Sequence, residues 1–105
     1  MSTPAEILNR IPSTVDPSKI AGINATVVFD LSGDNGGQWT MKVADGAANV
    51  SDGADPNASA TIKMTDTDYV AMMSGSLNPM MAFMSGKIKV EGDLNTVMKL
   101  QSIMG

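Results

Sequence analysis

The chain has 105 residues and a formal net charge of -4, with 43% of its residues hydrophobic and 17% charged. That length suits one domain spanning 1–105, and an acidic balance with Arg10 as the single arginine argues against nucleic acid as a partner. With no Cys and no His, disulfides, thiolate or imidazole metal sites, and Cys- or His-based catalysis are all excluded.

At the N-terminus, Thr3, Pro4 and Glu6 have the spacing of a capping box with proline in the first turn. They predict a helix whose face carries Ile7, Leu8 and Ile11, and Pro12 is expected to end it. Residues 12–24 read as a loop with one helical turn near Pro17 to Ala21. Residues 1–22 thus form a short helix and loop ahead of the first strand.

Ala25, Val27, Phe29 and Leu31 alternate with Thr26, Val28 and Asp30, which predicts a strand with one buried and one wet face. Residues 32–37 form a turn rich in Gly, Asp and Asn. A returning strand over 38–43 sets Trp39, Met41 and Val43 opposite Gln38, Thr40 and Lys42. Asp45-Gly46 turns the chain into a weak third strand over 47–50, and 52–57 is a loop. A fourth strand is expected over 58–64, with Ala60, Ile62 and Met64 on one face.

The period then changes from 2 to 3.6. Thr65 or Asp66 caps a helix carrying Tyr69, Met72 and Met73, and Gly75 ends it. Asn78-Pro79 starts another, with Met80, Phe83 and Met84 on one face and Met81 beside them. Lys87 to Glu91 forms a fifth strand with Ile88 and Val90 inward. Asp93 caps the last helix, whose stripe is Leu94, Val97, Met98, Leu100, Gln101 and Met104, with Ile103 at its margin. Strands and helices are partly segregated, which argues for an α+β domain with helices on one face of a sheet.

The chemistry-bearing residues have bland readings. Asp34, Asp45, Asp52, Asp55, Asp66 and Asp93 sit in turns and caps. Asp34-Asn35-Gly36 lacks the other ligands of a calcium loop and its closing Glu. Gly33, Gly36 and Gly37 precede a strand, whereas a phosphate cradle needs a helix N-terminus. Lys87 and Lys89 lie on an outer strand face. No catalytic residue, metal site or cofactor is expected.

Ten methionines outnumber four aromatic residues, and eight of the ten lie between Met64 and Met104. Methionine is flexible and polarizable, so it suits irregular partners. Two readings stay open: a methionine-rich but filled core, or a cavity lined by Met72, Met73, Met80, Met81, Met84, Met98 and Met104.

The second half also carries a resemblance. Ala60-Thr61-Ile62-Lys63-Met64-Thr65-Asp66-Thr67-Asp68-Tyr69 leads into Met72-Met73-Ser74-Gly75. Leu77-Asn78-Pro79-Met80-Met81-Ala82-Phe83-Met84-Ser85-Gly86-Lys87-Ile88-Lys89-Val90 follows, then Gly92-Asp93-Leu94 and Met98-Lys99-Leu100-Gln101. In order and spacing this closely resembles the sterol carrier protein 2 family, over about residues 20–104. The resemblance implies a five-stranded, mostly antiparallel sheet covered on one face by helices. It also implies an apolar tunnel between the layers for a fatty acid, acyl-CoA, sterol or isoprenoid.

The partner expected from this is a lipid or fatty-acyl ligand, bound and transferred without catalysis. The residues expected near the tunnel are Phe29, Trp39, Met41, Met72, Met73, Met80, Phe83, Met84, Val97, Met98, Leu100 and Met104. The segment before the first strand is shorter than in longer members. The tunnel is therefore expected either to stand open or to be closed by a second subunit in a homodimer. The rival reading is an interaction or dimerisation module with a filled core, attached to lipid-metabolic enzymes. No apolar run reaches the length of a signal peptide or membrane span, and a cytoplasmic location is the default expectation.

Overall fold

A computed structural model describes residues 3–14 and 17–104, and the side chains of these except 11–14, 17, 19, 79 and 100–104. The strands are β1 (Ala25–Ser32), β2 (Gly37–Ala44), β3 (Ala47–Asp52), β4 (Ala60–Thr65) and β5 (Lys89–Gly92). The helices are α1 (Pro4–Thr14), α2 (Pro17–Ile20), α3 (Asp66–Met73), α4 (Pro79–Met84) and α5 (Leu94–Met104).

β1 is the centre of the sheet, whose order is β3-β2-β1-β4-β5. β1/β2, β2/β3 and β4/β5 pair antiparallel, and β1/β4 pair in parallel. The sheet is therefore mixed but mostly antiparallel, as the resemblance implies. Partners directly across a ladder share a face. Val27, Met41, Val50 and Ala60 align in one row, and Phe29, Trp39 and Ile62 in the next. Thr26, Lys42 and Asn49 align on the other face.

The apolar face carries the core. Val27, Phe29, Leu31, Trp39, Met41, Val43, Ala48 and Met64 pack with Leu8 of α1, Ile20 of α2 and Tyr69 of α3. Ile7, Ile23, Val50, Ile62, Met72 and Ile88 pack around them, partly buried.

Four local expectations are corrected, and the choice of cap for α3 is settled. α1 runs through Pro12 to Thr14, because proline removes one N–H bond and strains the preceding turn without forbidding helical dihedrals after it. β4 begins at Ala60 and β5 at Lys89, both later than expected. Thr65 is the N-cap of α3: its Oγ1 accepts from the Asp68 N–H at 3.1 Å. Val28, expected on the wet face, is buried.

The 53–59 connection is tied to the same face of the sheet. Val28 lies across from Thr40. The Thr40 hydroxyl donates to the Gly53 carbonyl at 2.8 Å and accepts from the Asp55 N–H at 3.0 Å. The Ser59 N–H then donates to the Thr26 carbonyl at 2.8 Å. The loop so tied is held against the polar face at Thr40 and Thr26, on either side of Val28.

Candidate functional site

The three helices after β4 decide where the apolar surface goes. α3 has an inner stripe of Tyr69 and Met72, three residues apart. Tyr69 is buried and Met72 half-buried, while Met73 at the end of the helix is exposed.

α4 is six residues long and held at both ends. Asn78 caps it, its Oδ1 accepting from the Met80 and Met81 N–H groups at 2.9 and 3.3 Å. At the other end Gly86 adopts φ 83°. The Lys87 N–H donates to the Ala82 carbonyl at 2.9 Å and the Gly86 N–H to that of Phe83 at 3.2 Å. This is a Schellman turn, and its reversal of the chain needs the left-handed residue that glycine supplies. It delivers Ile88 to the core.

The fully buried side chain of α4 is Ala82, and its small size lets the helix sit close to the body. Met80, Met81, Phe83 and Met84 point outward in consequence, all exposed. Their apolar stripe is on the open side of the helix, where sequence periodicity implied an inward face.

α5 repeats the arrangement. Asp93 precedes it and caps it, accepting from the Asn95 N–H at 3.0 Å and the Thr96 hydroxyl at 2.9 Å. The Thr96 hydroxyl hydrogen bond holds the Asp93 carboxyl below its ordinary pKa, with the backbone N–H groups of Asn95 and Thr96 and the Lys99 charge acting in the same sense. Val97 is half-buried, and Leu94 and Met98 are exposed.

Among the described residues, the exposed large hydrophobic side chains are Met73, Met80, Met81, Phe83, Met84, Leu94 and Met98. All belong to the three consecutive helices α3, α4 and α5, and none to the first 72 residues. A run of exposed apolar side chains of this kind marks a binding surface more often than chance exposure does.

The expected site residues divide into two groups. Phe29, Trp39 and Met41 lie within the packed core, with Met72 at its edge. Met73, Met80, Phe83, Met84 and Met98 are exposed on α3, α4 and α5, with Val97 half-buried next to Met98 in sequence. The side chains of Leu100 and Met104 lie outside the described ones. Leu94 is absent from the expected set. Its i,i+4 spacing to Met98, which puts both on one side of α5, was the signal for it.

The described residues show no enclosed apolar tunnel. An open cleft of about 300 Å³ lies at the start of β1, lined by Gly22, Ile23, Asn24, Ala25, Thr96 and Lys99, and its lining is mostly polar. Among the described residues no cluster of three carboxylates offers a metal site. None of their helices is long and apolar enough to cross a membrane.

Comparison with known proteins agrees with this architecture. The family model for the SCP-2 sterol transfer family matches residues 5–105. Human "Sterol carrier protein 2" is 40% identical over 85 residues, which is 81% of this chain and 16% of that protein. The chain thus spans about a sixth of the relative's length. The solution structure of the sterol carrier protein domain 2 of Helicoverpa armigera superposes with a TM-score of 0.74 at 30% identity, covering 93% of this chain and 80% of that one. The palmitated SCP2L2 of Aedes aegypti gives a TM-score of 0.80 at 21% identity, covering 95% and 89%.

Proposed function

This chain belongs to the SCP-2 sterol transfer family, and from that premise we propose that it binds and transfers a lipid-like ligand without making or breaking bonds in it. The proposed site is the apolar face of α3, α4 and α5, with Met72 and Val97 at its inner margin. One observation carries this reading. Exposed hydrophobic side chains are concentrated on these three helices, while the rest of the apolar sheet face is covered and packed.

The energetics suit a carrier. Each methylene removed from water contributes about 0.8 kcal/mol, so ten contribute roughly 8 kcal/mol before ordering costs. The methionines gain at the same time from leaving water. The balance falls around micromolar affinity, tight enough to load and weak enough to release. Unbranched thioether side chains repack readily, so tolerance of several acyl or ring shapes is expected. A fatty acid or sterol suits this surface, and the palmitate of the palmitated Aedes aegypti SCP2L2 has the same chemistry.

Displacement of a fluorescent fatty acid, with native mass spectrometry of the purified protein, tests the reading. We expect saturable uptake of an amphiphile. Phe83→Ser together with Met84→Ser should weaken it roughly tenfold or more, the loss of about 1.4 kcal/mol or more. Both side chains are exposed, so thermal stability should change little. A protein that takes up no amphiphile, yet self-associates through this face, would instead be an interaction module.

A further inference from the structure

We propose that the open methionine face is a reversible oxidation site, at which peroxide converts thioethers to sulfoxides and so turns ligand binding down. The inference rests on the carrier reading for its consequence but not for its chemistry. Met84 is 79% exposed, Met81 66%, Met80 56% and Met98 51%, whereas Met41 is 0% and Met64 5% exposed. The chain has no cysteine, so methionine sulfur is the only sulfur that an oxidant meets.

The step is balanced. The thioether sulfur attacks one peroxide oxygen, the O–O bond breaks, an S–O bond forms and water leaves. Sulfur loses two electrons and hydrogen peroxide gains them. The product is polar and chiral where the side chain was apolar, which disrupts methionine-rich contact surfaces. Methionine sulfoxide reductases reverse it, with a dithiol supplying the electrons and water carrying off the oxygen. Solvent access governs the first step. Met80, Met81 and Met84 occupy three of the six positions of α4, so one short helix would change character almost at once.

The test is limited hydrogen peroxide treatment of the whole chain, with peptide mass mapping and fatty-acid titration at each time point. Sulfoxide should appear at Met80, Met81, Met84 and Met98 at least about tenfold faster than at Met41 and Met64, in keeping with access-controlled reactivity. Affinity for the fluorescent fatty acid should fall by about tenfold and return after treatment with both stereospecific reductases. A variant carrying Met→Leu at these four positions and at Met72 and Met73, whatever its own affinity, should bind equally before and after peroxide. Equal oxidation rates at exposed and buried methionines would overturn the proposal, as would oxidised protein that binds as well as untreated protein. Untreated protein that binds no fatty acid would overturn the carrier reading and the control of binding together, with the oxidation map still standing by itself.

Discussion

Tyr69→Ala is expected to lower the free energy of unfolding by about 3–5 kcal/mol. Tyr69 is the largest of the fully buried side chains and sits on the inner stripe of α3. Its ring meets that of Phe29 edge-on, with centroids 5.8 Å apart and planes at 65°. Such a pair adds about 0.5–1.5 kcal/mol to the area term. Alanine leaves a hole that β1, α1 and α3 cannot all close at once. A domain of this size has about 5–15 kcal/mol in total, so the loss is a large fraction of it. Urea unfolding measures it, and a loss below about 1 kcal/mol would show that the ring fills no space of consequence.

The same side chain predicts an alkaline limit. Burial pushes the Tyr69 phenol well above its ordinary value. The folded state therefore holds this proton more tightly than the unfolded chain, whose phenol titrates near pH 10. The stability linked to it is fully present below about pH 10 and declines as pH rises further. Tyr69→Phe should flatten that decline. Lys63 contributes in the same direction, its ammonium held up first by the hydrogen bond to Glu91 and then by that carboxylate's charge, at 2.6 Å. Lys63 is exposed, and both proteins retain it, so the difference between them isolates the phenol. Identical alkaline profiles would refute the assignment.

Gly33→Ala should cost about 3 kcal/mol, for two separable reasons. Gly33 has φ 107°, where an L side chain is strained. A Cβ there would also lie 2.6 Å from Asp66 Cγ. Asp66 is a buried carboxylate that accepts from the Asn35 N–H at 3.0 Å and the Thr67 N–H at 2.8 Å. It joins the β1–β2 turn to the start of α3, where the helix dipole also favours a negative charge. Displacing it would loosen both. In an Asp66→Ala background the glycine substitution should cost only its backbone part, leaving a coupling of roughly 1–2 kcal/mol in the double-mutant cycle. An additive cycle would mean that the two residues do not meet.

The sequence left the cap of α3 to either Thr65 or Asp66. The capping went to Thr65, and the Asp66 side chain went to a turn 31 residues earlier in the chain. Val28 and the α4 methionines follow the same logic. Nothing within β1 distinguishes Val28 from a wet-face residue, and the loop tied to its cross-strand neighbour Thr40 begins 25 residues later. Nothing within α4 shows that Ala82 is the side chain it buries, rather than the larger ones beside it.

Local features were legible because their causes are local. Alternation over residues 25–31, the caps at Thr65, Asn78 and Asp93, and the left-handed stop at Gly86 each depend on side chains within about four residues of one another. The order of motifs across the second half was equally readable, and the family followed from it. Tertiary structure alone decided the parallel pairing of β1 with β4, the loop beneath the sheet, the reach of Asp66 and the outward turn of the methionine face. Those depend on which distant element arrives to cover a surface, and burial is a property of that meeting rather than of either segment's pattern.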